Sequence, residues 1–285
     1  MAAITGDYLS LYLNSSLAVG EPIAVLSLIM LTLARLTPII TMAPFFGAKV
    51  LPHPVKVGFA LILFAIFLPK LLMVISTPLQ FNLMLIFLMI KELFIGYVIG
   101  FLISMPFMIV QSAGILIDHQ RGGASLMVND PTIQNQSSPF GTLFNMVLIV
   151  MFFLIDGPFL FIDAIMTSYD VIPPDRFINA SFWDKNTHFW DLQIKLLNMV
   201  MTLTIQLAAP ALIAILMTDF FLGIANRLAP QVQITFLGMP LKSLLAILVV
   251  FVGWRLFNEQ VIKETYKWLT IINETIQQFN TVHPS

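Results

Sequence analysis

The sequence predicts an all-α integral membrane protein built from several bent, proline-broken helices. Hydrophobic residues make up 58% of the 285 residues and charged residues only 10%, and the mean hydropathy is +0.91. A soluble domain contains about 45–50% apolar and about 25% charged residues. The excess of apolar side chains means that lipid, or other apolar protein, surrounds much of the molecule.

Charge and cysteine content exclude several classes of function. The formal net charge of −1 provides no basic field that could hold nucleic acid. The absence of cysteine excludes disulfides, thiolate catalysis and cysteine-ligated metal sites. No basic residue precedes Arg35, so we expect no cleaved signal peptide and a first helix that directs its own insertion.

Six apolar stretches define the expected helices. Each is close to or longer than the roughly 20 residues that a helix needs to cross the hydrocarbon core. They cover residues 23–46, 55–76, 81–110, 140–169, 196–225 and 236–257.

Prolines and charges interrupt every one of these stretches. In chain order they are Pro38 and Pro44, Pro69 and Lys70, Lys91, Glu92 and Pro106, Asp156 and Asp163, Pro210 and Asp219, and Pro240 and Lys242. A charge near the bilayer centre costs about 2.5–3.5 kcal/mol, so we expect bent helices that pack on protein or line water. The spacing of Gly96 and Gly100 favours one close helix–helix contact.

The chain divides into four consecutive segments by composition. Residues 1–170 form an N-terminal helical-hairpin part, and 171–195 form a polar connector. Residues 196–257 form a C-terminal hairpin. In 258–285, apolar residues recur at helical spacing, which predicts an amphipathic helix for a partner or a membrane surface.

The most polar internal stretch is GILIDHQRGGASLMVNDP, residues 114–131. Asp118 and Arg121 lie three residues apart, which predicts a local ion pair or contacts with neighbouring subunits. Two interpretations stand: a structural turn between hairpins, or a contact at a pore. The four histidines are isolated and no nucleophile or phosphate-binding motif occurs, so we expect no enzyme, no cofactor and no metal site.

The embedded aspartates leave one alternative function open. Asp156, Asp163 and Asp219 would serve a stand-alone ion-coupled transporter, because intramembrane carboxylates often relay ions. Asp156 precedes Gly157 and Pro158, however, and this order is typical of a helix cap.

Four blocks of sequence resemble the bacterial export-apparatus family that contains the injectisome T component and the flagellar R component. These are ARLTPIITMAPFFGAKVLPHPVKVGFAL (34–61), KELFIGYVIGFLISMPF (91–107), AGILIDHQRGGASLMVNDP (113–131) and NRLAPQVQITFLGMPLKS (226–243). The Asp-x-Gln-Arg-Gly pattern within the third block favours the injectisome branch.

The resemblance implies a pore-forming subunit of a type III secretion export gate, a helical hetero-oligomer in the bacterial inner membrane within the secretion-system basal body. The implied partners are the sister R and S components, the switch protein (U component) and the large V component. Unfolded secreted proteins are the implied cargo, and membrane lipid surrounds the subunit.

The resemblance also implies two sets of site residues. The first belongs to a plug-like loop near the pore axis, at residues 106–123 of the N-terminal part: Phe107, Met108, Gly114, Asp118, Gln120, Arg121, Gly122, Gly123 and Met127. The second supports assembly and helix breaks: Arg35, Pro38, Pro44, Glu92, Asp130, Pro131, Asp219, Arg227, Pro230, Gln231 and Lys242. Arg227 is expected to bind a carboxylate, either on a sister subunit or on this chain at Asp219.

Overall fold

A computed structural model describes residues 23–46, 51–122, 138–178, 188–228 and 234–278. This part of the chain is helical with short connections. In chain order the helices are α1 (Ile23–Met42), α2 (His53–Val74), α3 (Leu83–Gln120), α4 (Pro139–Leu154), α5 (Gly157–Val171), α6 (His188–Leu228), α7 (Ile234–Val252) and α8 (Trp254–Gln278). A 3₁₀ turn at Pro44–Phe46 follows α1. The predicted all-α class is confirmed.

Four of these helices are long and apolar enough to cross a membrane by length and composition: α1, α2, α3 and the part of α6 from Leu192 to Leu228. Two further pairs, α4 with α5 and α7 with α8, meet the same test as bent, broken spans. The chain is therefore a multi-pass membrane protein with bent helices, as its prolines and embedded charges predicted.

Proline is tolerated inside five helices, at Pro38, Pro69, Pro106, Pro210 and Pro240. Each proline removes one backbone donor and leaves one carbonyl of the preceding turn without its helical partner. The apolar side chains on either side are enough to continue the helix, so these prolines do not divide the spans.

The prediction of a loop at 106–123 is wrong for most of this range. Helix α3 continues through Pro106 and ends at Gln120. Buried apolar residues such as Ile109, Ala113 and Ile117 recur at helical spacing beyond the proline and hold the helix against its neighbours.

The amphipathic tail is a helix, but its apolar face is already covered within the chain. Val261, Trp268, Ile272 and Ile276 on α8 are at most 4% exposed. The prediction that this face awaits a partner or a membrane surface is therefore wrong for the described part of the tail. The helix also begins four residues earlier than expected, at Trp254.

The chain forms two compact units. The first comprises Met1–Ser104, Asp156–Gln193 and Trp268–Ser285, and the second comprises Met105–Ile155 and Ile194–Lys267. Each unit draws on several of the four consecutive segments expected from composition, because long helices pass from one unit into the other.

Candidate functional site

The first unit contains a buried arginine whose side chain is fully bonded. Arg35 on α1 is 0% exposed. Its Nε and Nη2 donate to the two carboxylate oxygens of Glu92 on α3, with 2.9 Å between Nη2 and Oε1. Nη1 donates to the backbone oxygen and the hydroxyl of Ser168, and Nη2 also donates to the Ile172 carbonyl at 2.7 Å. These five acceptors match the five N–H donors of a guanidinium.

Two features let the buried pair fit. The guanidinium carbon of Arg35 lies 4.1 Å from the ring centroid of Tyr169, a cation–π contact. Gly96 lies so close to α1 that a Cβ atom there would be 2.3 Å from the Arg35 carbonyl oxygen. Gly100 similarly approaches the Pro38 carbonyl. The close packing predicted from the Gly96 and Gly100 spacing is thus observed.

Lys91 extends this network into the connection after α5. Its Nζ lies 2.6 Å from the Glu92 carboxylate and donates to the carbonyls of Pro173 and Arg176, both at 2.9 Å. We call Arg35, Lys91, Glu92, Ser168 and Tyr169 the Arg35 cluster. The cluster ties α1 and α3 to the end of α5 and to the residues after it.

Asp175 anchors the same connection from its other side. Its Oδ2 accepts four hydrogen bonds, from the backbone N–H groups and the hydroxyls of Ser76 and Thr77, at 2.9–3.1 Å. Burial alone would raise the pKa of Asp175, but these hydrogen bonds outweigh it and lower the pKa below its ordinary value. The carboxylate is therefore ionised at neutral pH.

The second unit contains the polar stretch that stood out in the sequence. Asp118 is fully buried at the end of α3. It pairs with Arg121 Nη2 at 2.7 Å, accepts from the backbone N–H of Phe140 at 2.9 Å and accepts from the Ser138 hydroxyl. Arg121 Nη1 in turn donates to Ser243 Oγ on α7 at 2.9 Å. The local ion pair predicted from the spacing is confirmed, and we call these residues the Asp118 cluster.

The Asp118 cluster organises the beginning of α4. Ser138 is the N-cap residue, and its hydroxyl accepts from Gly141 N. A Cβ atom at Gly114 would lie 2.4 Å from Gly141 N, so only glycine allows α3 and α4 to approach this closely. Gly122 has φ +89, a left-handed conformation that terminates α3.

The remaining residues of the expected plug loop are dispersed. Phe107 is buried at 2% exposure and its ring lies 5.7 Å from that of Phe152, whereas Met108 is 46% exposed. Gln120 is half-buried at the last position of α3. Gly123 and Met127 lie outside the described residues.

The structure describes some of the predicted assembly residues, and only part of these are in contact with one another. Arg35 and Glu92 are brought together, Pro38 lies within α1 and Pro44 begins the 3₁₀ turn. Asp130, Pro131, Pro230 and Gln231 lie outside the described residues. Of the two partners expected for Arg227, the one on this chain is wrong, because Asp219 pairs with Lys242 on α7 while Arg227 is exposed at the end of α6. A carboxylate on a sister subunit stays a prediction.

The three aspartates of the transporter alternative are not buried. Asp156 and Asp163 are exposed, and Asp219 is half-buried in its pair with Lys242. Asp156 occupies the predicted N-cap position of α5, with φ 57, but its side chain makes no capping hydrogen bond. Among the residues that the structure describes, no group of three or more histidines or carboxylates is placed to hold a metal ion.

Several of these bonded residues were not identified from the sequence. Lys91 was visible only as one of two adjacent charges in an apolar stretch, and Asp175 only as part of a polar connector. Ser138, Ser168 and Ser243 carried no signal, because a buried serine that completes a charged network has the same sequence context as any other serine.

Comparison with known proteins identifies the family. The model for bacterial export proteins, family 1, matches residues 26–267. The chain belongs to this family. The matched region includes both the Arg35 cluster and the Asp118 cluster, and the resemblance noted in the sequence is confirmed.

Individual relatives of this export family come from both secretion and flagellar systems. The chain is 36% identical over 164 residues to the Yop proteins translocation protein T of Yersinia pestis, covering 57% of this chain and 60% of that protein. It is 33% identical over 165 residues to the secretion system apparatus protein SsaT of Salmonella typhimurium, covering 57% and 61%. It is 26% identical over 223 residues to the flagellar biosynthetic protein FliR of Bacillus subtilis, covering 78% and 84%. The chain thus spans about three fifths of the length of the first two relatives.

Proposed function

We propose that this export-family chain is a non-enzymatic, pore-forming subunit of a bacterial type III secretion export gate. The observation that carries the proposal is the family match over residues 26–267, which includes every residue of both buried clusters. The names of the secretion-system relatives supply the type of machine. The Asp-x-Gln-Arg-Gly pattern at residues 118–122 favours the injectisome branch.

The distribution of charge supports a structural role for the clusters. The charged side chains of the clusters pair with one another inside the chain, and their side-chain exposure is only 0–11%; they are Arg35, Glu92, Asp118 and Arg121. A catalytic or ion-carrying group must reach its substrate, whereas these side chains join helices to one another. We therefore assign the two clusters to holding the subunit in the shape that the gate requires.

The exposed surface supports a role within a larger assembly. Large apolar side chains on α3 and α6 are more than half exposed, among them Phe87, Tyr97, Met201, Phe221 and Leu228. Lipid and sister subunits are the two surroundings that suit such a surface in a multi-pass protein. We propose the R and S components as direct neighbours, the U and V components as further partners, and the inner membrane within the basal body as the location.

Within the expected plug region, we propose two roles rather than one. Asp118, Arg121 and Gly114 fix the junction of α3 and α4, so they position the region. Met108 presents an exposed and flexible apolar side chain, which suits a compressible contact along the path of unfolded secreted proteins.

Co-expression tests the proposal. The chain would be produced with the R and S components of the same operon, purified in detergent and analysed by native mass spectrometry. We expect a discrete hetero-complex containing this chain, and aggregation or low yield when the chain is produced alone. A chain that is monodisperse alone and ignores the sister subunits would contradict the proposal.

The transporter alternative would be tested on the same preparation. It predicts that the chain alone, reconstituted in liposomes, moves protons or sodium and that Asp219→Asn abolishes this movement. The export-gate proposal predicts no such uptake, and Asp219→Asn should instead weaken the contact between α6 and α7.

A further inference from the structure

A small cavity in the first unit lies beside Asp175. It has a volume of about 110 Å³ and is lined by the connection between α2 and α3 and by the first turns of α3. Thr77, Gln80 and Asn82 contribute polar atoms, and Leu79 and Leu85 contribute an apolar floor. Asp175 forms part of the wall. Thr77, Gln80 and Asn82 on this connection are exposed, so the cavity has an open side.

The two oxygens of the Asp175 carboxylate differ in their hydrogen bonding. Oδ2 accepts four hydrogen bonds from Ser76 and Thr77. Oδ1 is buried and makes no hydrogen bond within the described part of the chain, and the residue is only 5% exposed. A buried acceptor without a donor is unfavourable, and more so when it is charged. A donor is therefore expected at Oδ1 in the working protein.

The charges nearby favour a cationic donor. Asp175 is the one charged residue among the described residues that line the cavity. Lys91, whose charge interacts with that of Asp175, already bonds three carbonyls and pairs with Glu92 at 2.6 Å. Arg176 donates to the Ser76 hydroxyl, which itself donates to Oδ2. Oδ1 is thus the oxygen of this carboxylate to which no described donor is bonded.

The size of the cavity agrees with the tip of a side chain. A water molecule takes up roughly 30 Å³ of liquid volume, so about three waters, or one ammonium or guanidinium group with its neighbouring carbons, would fill the space. The apolar floor suits the aliphatic stem of lysine or arginine, whose head would reach the carboxylate.

We propose that this cavity is a docking site for a lysine or arginine side chain of a neighbouring subunit of the export complex. The inference rests on the proposed function, because it requires a partner, and it adds the chemistry by which one partner is recognised. Asp175 has two roles in this proposal: Oδ2 holds Ser76 and Thr77, and Oδ1 binds the incoming cation. Substitutions can test the two roles separately.

Asp175→Asn is the informative variant. Its amide oxygen retains an acceptor for Ser76 and Thr77, while its NH₂ group replaces the unpaired acceptor with a donor and removes the charge. We expect the fraction of chain assembled with the sister subunits, measured by native mass spectrometry across a dilution series, to indicate a loss of affinity of roughly ten-fold or more. Ser76→Ala is the matched control, since Ser76 does not line the cavity and the change removes one donor to Oδ2 while leaving Oδ1 intact; it should keep the wild-type affinity.

A second pair of variants covers the case in which Asp175→Asn fails to fold. Gln80→Trp fills the cavity from its exposed rim without touching the bonds of Asp175, and it should lower the affinity similarly. Phe81→Trp changes the neighbouring position, which is 63% exposed and does not line the cavity. It should leave assembly unchanged.

Photo-cross-linking identifies the occupant. With p-benzoylphenylalanine at position 80 in the assembled complex, we expect adducts with a sister-subunit peptide that contains lysine or arginine. Adducts only with another peptide of this chain, or with a partner peptide that lacks a basic residue, would overturn the proposal. So would wild-type affinity in both Asp175→Asn and Gln80→Trp, which would indicate water as the occupant. A wild-type chain that forms no complex would instead contradict the proposed function itself.

Discussion

Arg35 and Glu92 show how a charge pair is tolerated inside a chain with so few charges. Both are 0% exposed and each carboxylate oxygen meets the guanidinium. Such a pair contributes little net stability relative to apolar residues of the same shape, because both charges lose their hydration. Removal of either partner alone is costly. Without Glu92, Arg35 and Lys91 stay buried without their carboxylate, and without Arg35, one Glu92 oxygen and the acceptors at Ser168 and Ile172 lose their donor.

We therefore predict that Arg35→Met and Glu92→Gln each destabilise the protein by about 3–5 kcal/mol. The double variant should lose much less than the sum of the two, and denaturant unfolding in detergent would measure all three. Arg255→Met is the matched control, because its pair with Glu259 is 89% and 60% exposed. A loss in the double variant equal to the sum of the two single losses would show that the two side chains act independently.

Asp175 gives the protein a specific sensitivity to acid. Because its folded pKa is lower than the ordinary 3.8, its ionised form contributes stability that is fully present well above that value. The contribution is lost as the pH falls below 3.8 and through the folded pKa.

The corresponding prediction compares melting temperatures of the wild type and Asp175→Asn from pH 7 to pH 3. The wild type should be more stable by a constant difference down to about pH 5, and the difference should shrink as the pH falls below 3.8 toward the folded pKa. Taking the difference cancels the other carboxylates. A gap that stays constant to pH 3 would contradict the assigned hydrogen bonds.

At the scale of helices, glycine sets where the elements approach. Gly96 and Gly114 each face backbone atoms of another helix at distances that no Cβ atom can occupy. Gly58 on α2 and Gly223 on α6 face open space. Substitution of a helical glycine by alanine is therefore expected to have opposite effects on stability, depending on whether the glycine faces another helix or open space.

Gly96→Ala and Gly114→Ala should destabilise the protein by about 1–3 kcal/mol, because the helices must separate. Gly58→Ala and Gly223→Ala should stabilise it by about 0.4–1 kcal/mol through helix propensity and the lower entropy of the unfolded chain. Thermal unfolding of the four variants in one detergent provides the comparison. Stabilisation by Gly96→Ala would mean that α1 and α3 do not touch there.

Helix α6 is longer than a membrane is thick. It contains 41 residues, which corresponds to about 61 Å at 1.5 Å per residue, against a hydrocarbon core of about 30 Å. Residues 196–218 carry no charge and suit the core, while exposed apolar side chains continue through Phe221 and Ile224 to Leu228. Lipid cannot cover the whole of this stripe, so protein must cover its end.

A nitroxide label at Leu228 tests this assignment in the purified complex. Assembly should remove its contact with a water-soluble relaxation agent without creating contact with lipid-dissolved oxygen. A label at Met201, within the uncharged run, provides the comparison for membrane depth. Strong contact of the Leu228 label with lipid-dissolved oxygen after assembly would contradict the assignment.

The sequence predicted helices well and their ends less well, for physical reasons. Apolar runs and prolines located the spans, since burial in lipid requires continuous helix. The resemblance implied a loop at 106–123, but packing at Ile109, Ala113 and Ile117 keeps this stretch helical as far as Gln120. The Asp118–Arg121 pair was predictable because its spacing is local. The Arg35–Glu92 pair spans 57 residues, and local patterns carry no information on contacts at that range.

At the scale of the whole molecule, the two compact units are interleaved along the chain. The first unit takes residues from the N-terminal, central and C-terminal parts, and the second takes the segments between them. Neither unit corresponds to one continuous piece, so the polar connector is not a boundary between independently folding halves.

Residues 1–178 and 188–285 should therefore each fail to fold when expressed separately. Co-expression of the two pieces should restore a stable particle, because each piece supplies helical segments that a compact unit needs and that the other piece lacks. Protease resistance of the membrane fraction would report the outcome. A protease-resistant 1–178 fragment on its own would show that the units are less interdependent than their composition indicates.

The partners of Arg35 are synthesised after Arg35 itself, and this order affects how the first helix enters the membrane. Arg35 leaves the ribosome 57 residues before Glu92, and at about 5–20 residues per second this interval lasts roughly 3–11 s. During that time α1 is apolar enough to enter the bilayer, yet its arginine has no carboxylate to meet. Ser168 and the Ile172 carbonyl emerge later still. Insertion of the first helix must therefore stay reversible, or be shielded by the insertion machinery, until α3 arrives.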